Sequence, residues 1–273
     1  MKRQYDLYSK ITNKVFYVKK ENGECIEQES LLQLTNNHNM LIPLLHELYI
    51  GGDLRNIYRN TIDGLLEDID YKLDKDNRKS LKELLLKLKK LKLIDFKEEE
   101  DIKKTTLLKI NISNLKNELV DNYFELSDME LKKINNLDYK KNKKIGILSL
   151  FTYLKVRVYK FDCIESQTNN IEKESFKKAE ATYQSYEWIS KFTGLGIKQI
   201  SEYIKILQEL NLITVDNCGY KYKDGQKKKI DCENIFIINT LHEKTNIKYE
   251  MKIAKIQYCN NMRTKGYHIS SKK

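Results

Sequence analysis

Hydrophobic residues recur with helical spacing in several segments of the chain, and most of these segments lead into short extended runs. From Met40, the run LIPLLHELYIGG predicts a helix that ends near its two glycines. TIDGLLEDI predicts a short second helix with Thr61 as its N-cap, and RKSLKELLLKLKKLKLIDF predicts a third helix that passes into a strand. The charged tip KEEEDIKK and the run LLKINI then predict a hairpin.

The second half of the chain repeats this order. KKIGILSLFTYLKVRVYK predicts a helix, SYEWISKF a short helix, IKQISEYIKILQEL a longer helix after the turn TGLG, and NLITV a strand. CGYKYKDGQKKKID predicts a basic hairpin with Gly225 at its tip, and ENIFIINT predicts the closing strand. When Ile94 is aligned with Ile213, apolar residues coincide along both long helices. We interpret this as an internal duplication, and two unrelated amphipathic helices are the alternative.

Two helices joined by a short turn with glycine, followed by a hairpin, form a winged helix-turn-helix. The segment WISKFTGLGIKQISEYIKILQELNLITV resembles the winged-helix segment of transcription regulators and of plasmid and phage replication initiators. With the upstream unit, the chain resembles initiators of mobile elements from low-GC Gram-positive bacteria, clearly over 143–240 and more weakly over 38–112. The resemblance implies that the second helix of the pair enters the major groove and that the wing lies on the backbone or in the minor groove.

We therefore expect a mainly α protein with small β-wings, built as two winged helix-turn-helix domains in tandem. The first domain, with a short N-terminal extension, spans residues 1–130, and the second, basic and DNA-binding, spans 131–240. A helical and basic tail spans 241–273. In this tail KYEMKIAKIQYC predicts a helix that packs on the body of the protein or on a second subunit, followed by frayed residues.

Charge is distributed unevenly along the chain, whose formal net charge is +11. Residues 1–130 carry 22 Lys and Arg against 24 Asp and Glu, a balance of −2, whereas 131–273 carry 28 against 15, a balance of +13. Codon bias in an AT-rich genome would spread the lysines evenly, so the asymmetry needs another cause. It indicates a polyanion as the partner of the second half.

The helix that starts at Ile197 is expected to turn its apolar residues to the core, namely Ile200, Ile204, Leu207 and Leu210. The polar residues left on its other faces are the candidate DNA readers, Lys198, Gln199, Ser201, Glu202 and Lys205. Gln199 can pair bidentately with adenine, and Lys198 can donate to guanine or to a phosphate. An ordinary solvated helix face is the alternative interpretation of these residues.

The basic hairpin is the second candidate DNA-binding element. It interleaves two tyrosines with lysines, namely Tyr220, Lys221, Tyr222, Lys223, Lys227, Lys228 and Lys229. Each lysine that neutralises a phosphate steepens the salt dependence of binding by roughly 0.9 in log K per log salt. Around the first helix of this domain, Lys143, Lys144 and Arg157 would position the protein on the backbone. Trp188 occupies an apolar position of the short helix and is expected in the core.

The first unit departs from the pattern in its hairpin, where four acidic residues at 98–101 would be repelled by phosphate. Its third helix still begins among cations, and Arg78, Lys79 and Lys82 are candidates for a second, weaker DNA contact. If they do not bind DNA, the unit is a dimerisation or partner-binding module.

No phosphate-binding loop, H-E-x-x-H or G-x-S-x-G motif is present, and the histidines form no close metal-binding pair. We therefore expect no catalytic residue, no cofactor and no metal, and we interpret the five scattered cysteines as free thiols. No apolar run approaches the ~18 residues of a membrane span. We expect a cytoplasmic protein that does not bind membranes.

These observations together predict a non-enzymatic, sequence-specific protein that binds double-stranded DNA, acting as a replication initiator or origin-binding factor on a plasmid or phage. A transcriptional regulator is the first alternative, and a winged-helix adaptor between proteins is the second. Duplex DNA is the expected partner. A second copy of the chain and replication proteins are further candidate partners.

Overall fold

A computed structural model describes residues 7–19, 25–36, 39–97, 105–117, 123–165, 179–225, 229–242 and 247–271. The chain divides into two compact units, unit 1 (Met1–Ile145) and unit 2 (Gly146–Lys273). Helices predominate in the described residues, and the sheets have only two or three strands each. The expectation of a mainly α protein with small β-sheets is therefore confirmed.

Unit 1 contains most of its strands near its ends and its helices in the middle. Its elements are β1 (Tyr8–Thr12), a 3-10 turn (Asn13–Val15), β2 (Val18–Lys19), β3 (Cys25–Ile26), α1 (Leu31–Leu34), α2 (Leu41–Gly51), β4 (Ile57–Asn60), α3 (Ile62–Asp68), α4 (Lys75–Lys90), β5 (Leu108–Asn111), α5 (Ser113–Asn117), β6 (Tyr123–Ser127) and α6 (Asp128–Asn135). Antiparallel pairs join β1 to β6, β2 to β3 and β4 to β5. Helix α7 (Lys141–Glu165) begins in this unit and continues into unit 2.

Unit 2 contains two small sheets and a long last helix. Its further elements are β7 (Ala181–Gln184), α8 (Tyr186–Thr193), α9 (Ile197–Glu209), β8 (Ile213–Asn217), β9 (Tyr220–Tyr222), β10 (Ile230–Asp231), β11 (Asn234–Ile238), a 3-10 turn (Asn239–His242), α10 (Ile247–Thr264) and β12 (His268–Ser270). One antiparallel sheet has the order β7-β11-β8, and the other has the order β10-β9-β12. The expectation of frayed residues after the last helix is wrong at 268–270, which pair with β9.

Both units arrange the same order of elements around an antiparallel sheet. In unit 2 the elements follow in the order α7, β7, α8, α9, β8 and β11. The last of these three strands, β11, lies between β7 and β8 in the sheet. In unit 1, α2, β4, α3 and α4 precede Asp95, which pairs with Asn111 at the end of β5 through backbone hydrogen bonds of 3.0 and 2.7 Å. Because β5 also pairs with β4, it takes the central position that β11 has in unit 2. The strand predicted after α4 is reduced to this single bridge in the described residues.

The ends of α4 and α9 agree in detail. Lys92 and Asn211 each adopt a left-handed conformation, with φ of 59° and 53°. The next residue in each unit is a buried leucine whose N–H donates to a carbonyl five residues back, from Leu93 to Leu88 at 3.0 Å and from Leu212 to Leu207 at 2.9 Å. This is the hydrogen-bond pattern of a Schellman cap. The caps coincide in the alignment of Ile94 with Ile213, which favours an internal duplication.

Strand β11 is buried on both faces, as the uninterrupted apolar run IFII requires. Ile235 and Ile237 join a buried cluster with Met251, Ala254 and Tyr258 of α10. Phe236 and Ile238 alternate with them and point to the opposite face of the sheet. Helix α10 therefore packs on the body of its own chain, which is one of the two arrangements that the sequence left open.

The helical side of unit 2 is fixed by aromatic contacts from α7. Tyr153 stacks on Phe192 of α8 with ring centroids 5.8 Å apart, and its hydroxyl donates to Oε1 of Gln184 at 3.1 Å. Nearer its N-terminal end, α7 passes so close to α9 that a Cβ added to Gly146 would lie 2.6 Å from the ring of Tyr203. Any larger residue at this position would have to displace that ring.

A buried chain of hydrogen bonds joins three elements of unit 1. The hydroxyl oxygen of Ser9 on β1 lies 2.7 Å from Nδ1 of His46 on α2, and Nε2 of His46 donates to Oδ1 of Asp128 at 3.0 Å. Ser9 and His46 are almost completely buried, so this serine is not accessible as a nucleophile. The chain of contacts instead satisfies polar groups inside the unit.

The Asp128 contact predicts an acid-dependent loss of stability. Burial alone would raise the pKa of Asp128, but the hydrogen bond from His46 and the nearby Lys132 outweigh it and hold the pKa below its usual 3.8. A carboxyl with a lowered pKa stabilises the fold above its unfolded pKa and loses that contribution as the pH falls through the folded value.

We expect Asp128→Asn to lower stability by about 1 to 2 kcal/mol at pH 7 and by less in acid. Urea unfolding from pH 3 to 7 measures this. Replacement of the exposed Asp138 with Asn is the control, and a pH-independent difference for Asp128→Asn would contradict the interpretation.

Gly194 predicts a second stability difference, in the turn between α8 and α9. Its φ of 71° is left-handed and no atom lies within 4 Å of an added Cβ, so Gly194→Ala introduces only backbone strain. We expect it to destabilise unit 2 by about 1 kcal/mol. Gly196, two residues on, has an ordinary φ of −69° and is the N-cap of α9, so Gly196→Ser, which keeps a favoured capping residue, serves as the control. Thermal unfolding of both variants checks this, and equal losses would argue against the left-handed turn.

Candidate nucleic-acid interface

Helices α8 and α9 are joined by a tight turn in which both helix ends are hydrogen-bonded. Ser185 caps α8 by accepting from the N–H of Trp188 at 3.3 Å, and Gly194 ends it by donating to the carbonyl of Ser190 at 2.9 Å. Helix α9 starts after Gly196. The predicted short helix, turn and longer helix are therefore confirmed.

The core side of α9 agrees with the sequence, because Ile200, Ile204 and Leu207 are buried. Leu210 lies at the C-cap and is only half-buried. Tyr203 and Ile206 are buried as well, so the apolar face is wider than the sequence suggested. The exposed face of the helix is correspondingly narrow.

The candidate readers on α9 occupy this exposed face. Lys198, Gln199, Glu202 and Lys205 are exposed, and Ser201 is half-buried. The Oε1 atom of Gln199 accepts the N–H of Gly196 at 3.0 Å, which completes the first turn of the helix. Gln199 therefore has its amide nitrogen available for a base, whereas in a bidentate contact its oxygen would have to serve the cap and the base together, through its two lone pairs.

We use the term wing for residues 218–233, which connect β8 to β11. The described part is a hairpin in which Lys221 of β9 pairs with Ile230 of β10, and Gly225 has the left-handed φ of 78° expected near a tip. Lys227 and Lys228 lie outside the described residues. The predicted basic hairpin is confirmed as a local structure, but β9 also pairs with β12, which the sequence did not indicate.

The wing lysines differ in their surroundings. Nζ of Lys221 is mostly buried and forms an ion pair with Glu233, so its charge is compensated inside the unit. Lys223 and Lys229 are exposed, and their Nζ atoms lie 4.7 Å from the ring of Tyr267 and 5.6 Å from that of Tyr222. Tyr220 and Tyr222 are half-buried. Of the described wing lysines, Lys223 and Lys229 are thus the better placed for phosphates.

A groove of about 700 Å³ separates the start of α8 and α9 from the wing. It contains three carboxylates, those of Glu187, Asp231 and Glu233, against the single amine of Lys221. Glu187 accepts hydrogen bonds from its own backbone N–H and from Ser185, and these lower its pKa. Burial alone would raise the pKa of Glu233, but its contacts with Lys221 and Tyr258 outweigh burial and lower that pKa. Both groups are therefore ionised at neutral pH. The acidic lining makes the groove itself unsuitable for phosphate, and the exposed Lys223 and Lys229 do not line it.

Trp188 is on the surface, and the expectation that it belongs to the core is wrong. Its side chain is 53% exposed, with its ring stacked on Phe192 at a centroid distance of 5.7 Å and an angle of 12°. Nζ of Lys191 lies 5.3 Å from the indole and 5.6 Å from the Phe192 ring. Ile189 and Phe192 supply the core contacts of this short helix. Trp188 and Lys191 thus form an exposed aromatic and cationic pair that the sequence interpretation missed.

The cations predicted around the first helix are tied to their own surroundings. Nζ of Lys144 donates to the carbonyl of Asn135 at 2.5 Å, and Nζ of Lys143 lies 3.6 Å from the ring of Tyr139. Both lysines fall in unit 1. Arg157 is half-buried on α7. All three side chains are half-buried, so they are poorly placed to bind phosphates.

In unit 1, the cations at the start of α4 are partly compensated. Arg78 forms a bidentate ion pair with Asp63 on α3, with distances of 2.6 and 3.1 Å. Lys79 is exposed and lies 4.0 Å from Glu83, whereas Lys82 is half-buried. The acidic residues 98–101 lie outside the described residues. Arg78 therefore holds α3 against α4, and Lys79 is the most accessible of the three.

Metal ligands, thiols and membrane-spanning helices are the features that would point to other kinds of function. Within the described ranges, no group of three His, Cys, Asp or Glu side chains could hold a metal ion. Cys25, Cys218, Cys232 and Cys259 are free thiols, as expected, while the side chain of Cys163 lies outside the described residues. None of the described helices combines the length and hydropathy that crossing a membrane would require.

No family model matches the sequence, and comparisons with curated proteins and with solved structures find no match either. A functional role therefore has to be inferred from the element order and the exposed side chains of each unit.

The position of Trp188 predicts a spectroscopic result. As the only tryptophan of the chain, it alone determines the indole fluorescence of the protein. We expect the native emission to resemble that of an indole in water and to be quenched by iodide almost as strongly as in urea. Trp188→Ala should cost less stability than Phe192→Ala, whose loss is about 3 to 5 kcal/mol because Phe192 is buried. A blue-shifted emission that resists iodide would place Trp188 in the core instead.

Proposed function

We propose that the chain is a non-enzymatic, sequence-specific duplex DNA-binding protein built from two winged helices in tandem, with unit 2 as the main DNA-binding domain. The observation that carries this proposal is the element order of unit 2. Along the chain, α7, β7, α8 and α9 precede β8, the wing and β11, and in the sheet β11 lies between β7 and β8. This order is typical of a winged helix-turn-helix. In that docking geometry the N-terminal end of α9 enters the major groove.

The exposed chemistry of unit 2 suits this docking. The first turn of α9 offers the amine of Lys198 and the amide nitrogen of Gln199 to base edges, with Ser201, Glu202 and Lys205 farther along the helix. The positive end of the helix dipole favours nearby phosphates. Lys191 beside Trp188 and the exposed wing lysines, which do not line the acidic groove, would bind the phosphate backbone. Base reading and backbone binding are thus assigned to different elements.

A replication initiator or origin-binding factor of a mobile element is the role that we propose for this binding, on the strength of the resemblance in sequence. A transcriptional regulator would use the same chemistry. Repeated binding sites inside or beside the gene for this chain would favour initiation, whereas a single palindrome over a promoter would favour regulation.

A protein-binding adaptor is the second candidate, and the groove between α8, α9 and the wing favours it. Ile197 and Ile230 are about half exposed at this groove, beside Glu187 and Asp231. Such a surface suits a partner segment that combines apolar and basic side chains. If the protein acts as such an adaptor, α9 and the wing lysines contribute nothing to DNA affinity.

Fluorescence anisotropy of the full-length protein on a labelled fragment from around its own gene, and on a scrambled fragment, tests the proposal over a salt series. We expect tighter binding to the native fragment with a steep salt slope. Gln199→Glu keeps an oxygen for the N–H of Gly196 but removes the amide donor, so it should reduce the preference for the native fragment without unfolding α9. Replacing Lys223 and Lys229 with Gln should lower the slope by about 1.8 on both fragments.

Replacement of Lys90 and Lys109 with Gln is the control, because it removes the same charge from exposed positions of unit 1. Equal, weak binding to both fragments that none of these variants changes would refute sequence-specific recognition by unit 2. Retained binding of a basic, apolar peptide under those conditions would favour the adaptor.

A further inference from the structure

Helix α10 has one face in the core of unit 2 and one face in solvent. Met251, Ala254 and Tyr258 pack against the sheet, and the only acidic residue of the helix, Glu250, is 1% exposed on this inner side. The exposed side chains of α10 are cationic, polar or, at two positions, large and apolar, namely Lys248, Tyr249, Lys252, Ile256, Asn260, Asn261, Arg263 and Thr264. The exposed part of α10 therefore carries positive charge with no carboxylate of its own.

The cations of this face have regular positions. At 100° per residue, Lys252 and Arg263 lie within about 20° of each other around the helix, and at 1.5 Å per residue they are about 16 Å apart along it. Exposed Lys265 follows directly after the helix. Lys255, by contrast, forms an ion pair with Asp216 of β8 and ties the helix to the sheet. The outward cations thus form a row along the helix.

This row leads into the wing. After Gly266, which has a left-handed φ of 77°, Tyr267 and β12 run alongside β9, and the register pairs Ile269 with Lys221. The ring of Tyr267 lies 4.7 Å from Nζ of Lys223. The C-terminal end of α10 and the wing therefore meet at Tyr267, which places the helix cations and the wing lysines on neighbouring elements.

We propose that the outward face of α10 extends the DNA-binding surface of the wing and binds the phosphate backbone of duplex DNA through Lys252, Arg263 and Lys265. This inference rests on the proposed DNA-binding function and adds a binding element to it. A row of about 16 Å is long enough to span phosphates on both sides of a groove about 12 Å wide. These cations bind phosphate and do not read bases, so they add affinity equally on every sequence.

The chemistry of this face favours DNA over a membrane. A helix that lies in a lipid interface buries a broad apolar face, whereas the apolar face of α10 is occupied by the sheet. Only Tyr249 and Ile256 are large apolar residues on its outward side. If all three cations neutralise phosphates, they contribute about 2.7 to the salt slope, since each contributes roughly 0.9.

The test compares the full-length protein with a triple variant, Lys252→Gln, Arg263→Gln and Lys265→Gln, by anisotropy over a salt series on the native and scrambled fragments. We expect the variant to bind both fragments more weakly, with a slope lower by up to about 2.7 and an unchanged ratio between the fragments. Hydroxyl-radical footprinting should show a loss of protected sugars at one edge of the site. Circular dichroism and thermal unfolding check that the exposed substitutions leave the fold intact.

The matched control replaces Lys90, Lys97 and Lys109 with Gln, which removes the same charge from exposed positions in unit 1. If the α10 variant keeps the wild-type slope, or loses no more than the control, α10 does not bind the backbone, even where the wild type still prefers the native fragment. If the wild type binds neither fragment, the proposed DNA-binding function fails as well. If the variant loses binding only to anionic phospholipid vesicles, the face serves a membrane and the inference is wrong.

Discussion

The burial of β11 on both faces is the constraint on which unit 2 depends. Its backbone pairs with β7 on one edge and β8 on the other, so its polar groups are satisfied inside the protein while its side chains alternate between two apolar layers. Ile235 and Ile237 hold α10, and Phe236 and Ile238 face the opposite side. The wing is an insertion between β8 and this strand, so its position relative to α9 is set by the same sheet.

The matching strand of unit 1 has a different demand. Along β5, Leu108 and Ile110 are buried whereas Lys109 and Asn111 are exposed, so the strand presents one apolar face and one polar face. A strand with one apolar face needs a packed layer on that face only, whereas a strand that is apolar on both faces needs a packed layer on each. The two units therefore share an order of elements and a helix cap, but only unit 2 needs the additional layer that α10 provides.

Local patterns predicted the helices, the turn and the hairpin well because each depends on residues within a few positions of one another. The periodicity that placed Ile200, Ile204 and Leu207 in the core is such a pattern. The same reasoning failed for Trp188, because Ile189 and Phe192 already supply the core contacts of a short helix and leave its indole outside. Apolar character alone does not decide which of several neighbouring residues is buried.

Features of the site that depend on distant pairing could not be predicted in this way. The sequence suggested that the charge of Lys221 is free to bind DNA, but in the folded wing Lys221 forms an ion pair with Glu233. The charge of Arg78 is likewise compensated by Asp63, which lies on another helix. The role of Gln199 in the helix cap could have been predicted, since glutamine at the third helical position is a recognised capping signal. Burial of β11 on both faces could also have been predicted, since an uninterrupted apolar run such as IFII is typical of a strand covered on both sides.

The pairing of β9 with β12 has a consequence for the order of folding. The hairpin of β9 and β10 joins neighbouring segments, whereas the second neighbour of β9 is β12, which follows α10 in the chain. Contacts between distant segments require a larger loss of chain entropy before they form, and regions that depend on them open at lower free energy. We therefore expect the β9–β12 pairing to form later than the β9–β10 hairpin and to exchange its amide protons sooner than the core of unit 2. Loss of α10 from the sheet would therefore uncover β11 and also remove the strand that holds the outer edge of the wing.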